Sequence, residues 1–319
     1  MHSFRAQSLQ KGRRLIQPHR GANLVGSLSR RLPCRRWQSS YWLGKVLATD
    51  EPFVGRFRDG LIEVYPGDIA TMQTFYLGFF EREVTMLCLE EIRRDPPDLI
   101  VDVGANFGYY PLLFGLETRG RTKAIAFEPD PVNVARLKRN ADLNPGIDVT
   151  IVPKAVGDKD GTLVGFDSAP AGHHVWSRLV EVNGGDRRGW TRTLVPMTRL
   201  DAELDRLGVD RVPLTLIDVE GNEGNVISGM ADGLARRRYK RLMVEFHPWA
   251  FDSADDVRQI AMTIVGNGYR GYRIRHHPAR QPDKSVSYYR FRFDAATVLG
   301  EMTFDDLTEW EHFWFEAIP

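Results

Sequence analysis

The chain has 319 residues, enough for one large domain with modest additions. Its 42% apolar and 27% charged residues are those of a globular protein that buries a core. No apolar run reaches the roughly eighteen residues of a helical membrane span. The formal net charge of +1 conceals an asymmetry: residues 1–49 hold ten Lys and Arg and no acid, leaving 33 basic against 42 acidic residues, about −9, in the remainder. An acidic body argues against a broad phosphate-binding surface, and so against nucleic acid as a partner. The two cysteines, Cys34 and Cys88, are far apart and make neither a disulfide framework nor a zinc site. They fit a reducing compartment, and a cytoplasmic location is expected. The arm over 1–49 reads as a disordered basic tail, with a mitochondrial transit peptide as the alternative.

After the arm, residues 50–98 form an N-terminal extension. Residues 52–66 alternate enough for a strand or hairpin, and 81–92 carry helical spacing up to the stop at Asp95-Pro96-Pro97. Residues 99–319 form the principal domain, in which strands and helices alternate. The near-continuous apolar run 99–103 marks a strand buried on both faces, and a helix follows Gly108. A second strand spans 123–127, and Pro131 opens a helix to about Leu143. Further strands are expected at 149–152, 215–219 and 241–246, with a helix over 226–236 between the last two. This alternation predicts an α/β fold with a doubly wound, mostly parallel sheet and right-handed crossovers. An insert at about 161–200 opens with a strand and is too long for a plain connection, so a lid or substrate loop is expected. The tail carries a helix near 255–265 and closing strands at 272–274 and 287–293.

Two motifs carry chemistry. Asp102-Val103-Gly104-Ala105-Asn106-Phe107-Gly108 lies where a buried strand turns into a helix, at a crevice on the carboxyl edge of the sheet. Glycine suits a turn that a ligand approaches too closely for a side chain. A dinucleotide fingerprint wants Gly at 104, 106 and 109, and the chain has Asn106 and Tyr109, which speaks against a nicotinamide or flavin oxidoreductase. The second motif, Phe127-Glu128-Pro129-Asp130-Pro131, puts an acid 24 residues after Gly104, near the spacing at which a carboxylate meets a ribose diol.

The ordered blocks DVGANFGYY, AFEPDPVNVARLKRNADLN, VPKAVGDKDG, PMTRLDAEL, LIDVEGNEGNVISGM and MVEFHP resemble those of the FkbM methyltransferase family over about residues 60–275. The resemblance implies a seven-stranded, Rossmann-like class I methyltransferase fold and S-adenosylmethionine as cofactor. It implies O-methylation of a hydroxyl on a small molecule or glycan acceptor. By the same resemblance Gly104, Asn106 and Gly108 form the cofactor turn, Asp102 faces the cofactor's amino group and Glu128 holds its ribose. Ala155 and Val156 border the adenine. The family commonly carries Lys where this chain has Leu216, and that departure keeps a second reading open: a catalytically inactive module that binds S-adenosylmethionine.

At the acceptor end, Asp218, Glu220, Glu245 and His247 cluster at the carboxyl ends of two neighbouring strands. Three readings compete. His247 or Asp218 acts as general base, or Asp218 with Glu245 and His247 holds a divalent cation such as magnesium. In the third, Asp218 and Glu220 bond the backbone N–H groups of the Gly221 turn. The spacing is no strong metal motif, so a cation is not the favoured reading. His173-His174 in the insert and His276-His277 beside Arg273 read as solvated, and Trp249 is the best of the aromatic platforms for an acceptor.

Overall fold

The computed structural model describes residues 51–170, 177–180, 188–276, 299–304, 306–308 and 310–319. The basic arm over 1–49, His173, His174, Trp176, His277 and the strand expected at 287–293 lie outside the described residues. A hairpin of β1 (Phe53–Phe57) and β2 (Gly60–Val64) precedes α1 (Ile69–Leu77) and α2 (Arg82–Arg94). The alternation then runs β3 (Leu99–Val103), α3 (Tyr109–Glu117), β4 (Lys123–Phe127), α4 (Pro131–Leu143) and β5 (Asp148–Val152). After the insert come α5 (Leu200–Arg206), β10 (Leu214–Ile217), α6 (Glu223–Ser228), α7 (Ala231–Ala235), β11 (Arg241–Phe246), α8 (Ala254–Gly266) and β12 (Tyr269–Ile274). The two-residue β13 (Leu299–Gly300) and β14 (Glu311–Ala317) end the chain. The helix expected over 226–236 is thus two short helices.

The main sheet has the order β13-β12-β14-β11-β10-β3-β4-β5. Strands β5, β4, β3, β10 and β11 are parallel, and β14 inserts antiparallel between β11 and β12. This is the doubly wound sheet expected from the sequence: seven strands, with β13 added at one edge. The chain winds outward from β3 to β5 and returns to β10 on the other side, so β3 and β10 diverge at their carboxyl ends and open a crevice there. The closing strand is β14, and its run HFWF is buried because β11 and β12 flank it.

Alternation along the strands sorts side chains between two helical layers. Ile100, Leu216, Met243 and Trp314 face the cluster built with β1, β2, α1, α2 and α3, whereas Val101, Ile217, Val244 and Phe313 face α5 to α8. The described strands of the insert belong to a second sheet. In it β7 (Thr162–Ser168), β8 (Arg178–Val180) and β9 (Thr191–Thr198) pair with one another, and β6 (Ala155–Val156), which precedes the insert, adds to β9 in the order β6-β9-β7-β8 around Phe166, Val195 and Met197.

Polar groups of α4 dock the N-terminal extension. Asn140 Oδ1 accepts from Glu63 N at 2.8 Å, and both terminal nitrogens of Arg136 donate to Asp68 Oδ2 at 3.1 Å. Asp68 also caps α1 by accepting from Thr71 N, and the Arg136 guanidinium lies 3.7 Å from the centre of the Tyr65 ring. The Arg136 and Asp68 side chains are 1% and 2% exposed, so removal of either leaves an uncompensated buried charge. Arg136→Ala is expected to cost about 3–5 kcal/mol in chemical denaturation. A loss under about 1 kcal/mol, the value of a surface pair, would show that the extension does not depend on it.

Candidate active site

A crevice open to solvent lies at the diverging ends of β3 and β10. The β3–α3 turn forms its floor. Gly104 has φ +90°, and a Cβ placed there would lie 1.6 Å from the carbonyl oxygen of Asp218. Glycine is therefore required by the chain's own backbone as well as by any ligand. Asn106 takes a left-handed φ of +51°, which asparagine tolerates better than most residues, and so fills a position where glycine would otherwise serve.

Glu128 locks this turn to the end of β4. Its Oε2 accepts from Asn106 N and its Oε1 from Asp130 N, both at 2.7 Å. Each oxygen keeps a further acceptor position, and Glu128 lines the crevice. Burial pushes its carboxyl up to about 8, against the two backbone donors, which favour the ionised form. Asn106 Oδ1 is buried at the crevice without a hydrogen-bond partner. Ala155 and Val156, with Phe166 and Leu179 of the insert, form an apolar wall, and Asn222 Nδ2 ties this wall to the opposite side by donating to Val156 O at 2.9 Å.

Of the residues singled out in the sequence, Gly104, Asn106, Glu128, Ala155, Val156 and Asp218 all line the crevice. Gly108 and Asp102 do not. Gly108 has φ +89° at the start of α3, where a Cβ would press on Leu137. Asp102 lies on the other face of β3, 3% exposed, with Oδ2 unpartnered. Burial, then the charge of Glu81, raises its carboxyl to about 8.

At the far end the period-two alternation extends beyond the apolar residues. Leu216 is followed by Asp218, and Met243 by Glu245 and His247, all on the side of the sheet covered by α2 and α3. His247 Nδ1 pairs with Glu223 Oε1 at 2.8 Å. Its Nε2 stands 3.5 Å from Glu220 Oε2, 3.8 Å from Glu245 Oε1 and 4.0 Å from Asp218 Oδ1. Glu245 Oε2 continues the network to His312 Nε2 at 3.2 Å, and His312 Nδ1 meets His276 Nε2 at 3.0 Å. His276 is thus part of a buried network and not a solvated edge. The Gly221 N–H, expected to bond Asp218 or Glu220, instead donates to Glu223 Oε1 at 2.9 Å.

The acids crowd one another. Burial followed by Glu245 and Glu220 raises the Asp218 carboxyl well above its usual range, and burial raises Glu220 to about 8. Burial works against the imidazolium of His247, yet Glu223, Glu220 and Glu245 lift it to about 9. Burial of Glu245 is outweighed by His312 and His247, which hold its carboxyl low and ionised.

Glu81, Glu223 and His312 were not singled out from the sequence. Glu81 precedes α2 with φ +46° and accepts from Tyr110 OH at 2.5 Å, a placement no local pattern signals. His312 was findable, because Glu311–Ala317 is rich in strand-forming aromatic residues.

A doubly wound sheet with a glycine turn, an acid at the end of the next strand and a crevice at the switch point defines a nucleotide-cofactor enzyme fold of the class I methyltransferase type. The chain belongs to the FkbM methyltransferase family: residues 102–274 match the Methyltransferase FkbM domain. It is 28% identical over 169 residues to the hexuronic acid methyltransferase AglP of Haloferax volcanii, covering 52% of this chain and 62% of that one. It is 27% identical over 156 residues to the 2-O-methyltransferase NoeI of Sinorhizobium fredii, covering 45% and 62%. To the 31-O-demethyl-FK506 methyltransferase FkbM of Streptomyces tacrolimicus it is 28% identical over 200 residues, covering 54% and 73%. The chain thus spans less than two thirds of the length of the first two relatives.

Asp102 and Glu128 yield a pH prediction. Both carboxyls rise on folding from ordinary values to about 8, so their contribution to stability is fully present below about pH 4 and is lost as pH rises through 8. The melting temperature is expected to fall between pH 6 and about pH 9, and the fall should be smaller in Asp102→Asn, whose side chain cannot ionise. An unchanged slope in that variant would show that Asp102 is ionised in the folded protein across the range.

Proposed function

We propose that the protein transfers a methyl group from S-adenosylmethionine to a hydroxyl of a small molecule or saccharide. The observation that carries this reading is Glu128. Its carboxyl group is held by two backbone N–H groups with acceptor capacity left over, directly beside a turn whose glycine admits a close approach. That is the acceptor set a ribose diol needs, and the unpartnered Asn106 Oδ1 offers one more acceptor at the same wall. The apolar wall of Ala155, Val156, Phe166 and Leu179 suits a flat base.

S-adenosylmethionine supplies a methyl carbon on a sulfonium, to which an acceptor oxygen bonds as the carbon–sulfur bond breaks. The residues of the chain align the two partners and take up the hydroxyl proton. Asp218 and Glu220 line the crevice and would touch the acceptor, whereas His247 and Glu245 stand behind them, 4% and 6% exposed, and act through them. Trp249 is 48% exposed beside Gly221, edge-on to His247, and Arg178 lies 5.0 Å over its ring. An exposed indole next to carboxylates suits stacking on a sugar face, in keeping with the sugar named for the Haloferax relative. Leu216 does not weaken the reading: it is 1% exposed in the core, so it withdraws no side chain from the crevice.

Calorimetry with S-adenosylmethionine and S-adenosylhomocysteine is expected to show one site per chain. Glu128→Ala should weaken it about a hundredfold, the scale of two ordinary hydrogen bonds. A labelled-methyl screen over saccharides and metabolites should then find an acceptor. Absence of heat with either cofactor form would remove the assignment, and binding without transfer to any acceptor would favour the inactive module.

A further inference from the structure

We propose that Asp218, Glu220 and His247 form a binding site for one divalent cation at the acceptor end of the crevice. One ligand atom from each lies within 4.8 Å of the others. Donors about 2.1 Å from a shared ion stand roughly 3–4 Å apart, and His247 Nε2 is 3.5 Å from Glu220 Oε2 and 4.0 Å from Asp218 Oδ1. Two features beyond the cluster point to an ion.

The first is the orientation of His247. Its Nδ1 is engaged by the buried carboxylate of Glu223 at 2.8 Å, which sets Nδ1 as the donor and turns Nε2 toward the carboxylates, where a bound ion would displace its proton. A carboxylate behind the imidazole is the arrangement that orients histidine on a metal and raises its basicity. Glu223 is itself fixed by Gly221 N and is fully buried, so the ring has little freedom to turn away. The second is an unsatisfied atom. Asp218 Oδ1 is sealed from solvent without a hydrogen-bond partner, and it is one of the ligand atoms of the cluster. Protein groups alone leave this atom unsatisfied, and such a group is costly to bury.

Two carboxylates and an imidazole suit manganese, iron or zinc, and leave positions for an acceptor oxygen. Glu245 Oε1, 3.8 Å from His247 Nε2, stands behind as a further oxygen. The ion would lower the pKa of an acceptor hydroxyl, so that its proton leaves more readily to a neighbouring carboxylate. That role rests on the methyl-transfer reading; the site rests on the geometry alone.

The test is titration of the chelator-treated full chain with Mn2+, with and without S-adenosylhomocysteine, following the free ion by electron paramagnetic resonance. Saturable binding is expected, with one ion lost or weakened at least tenfold in Asp218→Ala and in His247→Ala. Glu223→Gln should weaken it about tenfold, the usual effect of removing charge behind a histidine ligand. Melting curves and cofactor heat serve as folding controls, and Glu220→Ala replaces any variant that fails them. No saturable binding up to about a millimolar would overturn the proposal, as would binding undiminished by the substitutions. Heat for S-adenosylhomocysteine without Mn2+ binding would remove the cation alone. Mn2+ binding without that heat would leave the site and remove the methyl-transfer role.

Discussion

The site depends on a close approach between two main chains. At the point where β3 and β10 part, the carbonyl of Asp218 occupies the space a Cβ on Gly104 would need, and Asp218 N donates to Val103 O at 2.9 Å. The glycine turn that floors the crevice and the acid at its far end are thus held against each other by backbone. Glu128 adds a second lock by tying Asn106 N to the end of β4. A ligand spanning the crevice meets groups on three strands whose relative positions are set before it arrives, which is the form of pre-organisation that alignment of two reactants requires.

The far end is governed by charge. Asp218, Glu220, Glu223 and Glu245 surround His247, and Glu81 and Glu245 flank His312. In a buried setting such a set must share protons or take up a positive charge from outside, and the opposed shifts follow: Asp218 and Glu220 raised, both imidazoles raised, and Glu245 held ionised between two histidines. A general base and a cation are then less opposed than they seem from sequence. A cation displaces protons from the same carboxylates and frees one of them to accept the hydroxyl's proton.

Much of this was legible in the residues. The buried runs 99–103 and 241–246, the glycine turn and the acid after β4 are local patterns, and each lies where local patterns predict. Of the insert only the opening strand was legible, because its strands pair with each other and with Ala155–Val156, a pairing that only chain reversal creates. The proton network was only half visible. Asp218, Glu220, Glu245 and His247 sit at the ends of strands that announce themselves, whereas Glu81, Glu223 and His312 reach the same place from the residue before α2, the first residue of α6 and the antiparallel strand β14. Convergence of that kind is a property of topology and leaves no mark on spacing.

Leu216 and Asp102 belong together in the same sense. They are register partners on neighbouring parallel strands, and so point to the same side of the sheet. A lysine at the first position, common in the family, would set an ammonium beside the second. In this chain the neighbour is apolar, and Asp102 is left buried with Oδ2 unpartnered and its carboxyl raised to about 8. The departure at 216 therefore acts on the acid beneath the crevice and not on the crevice itself.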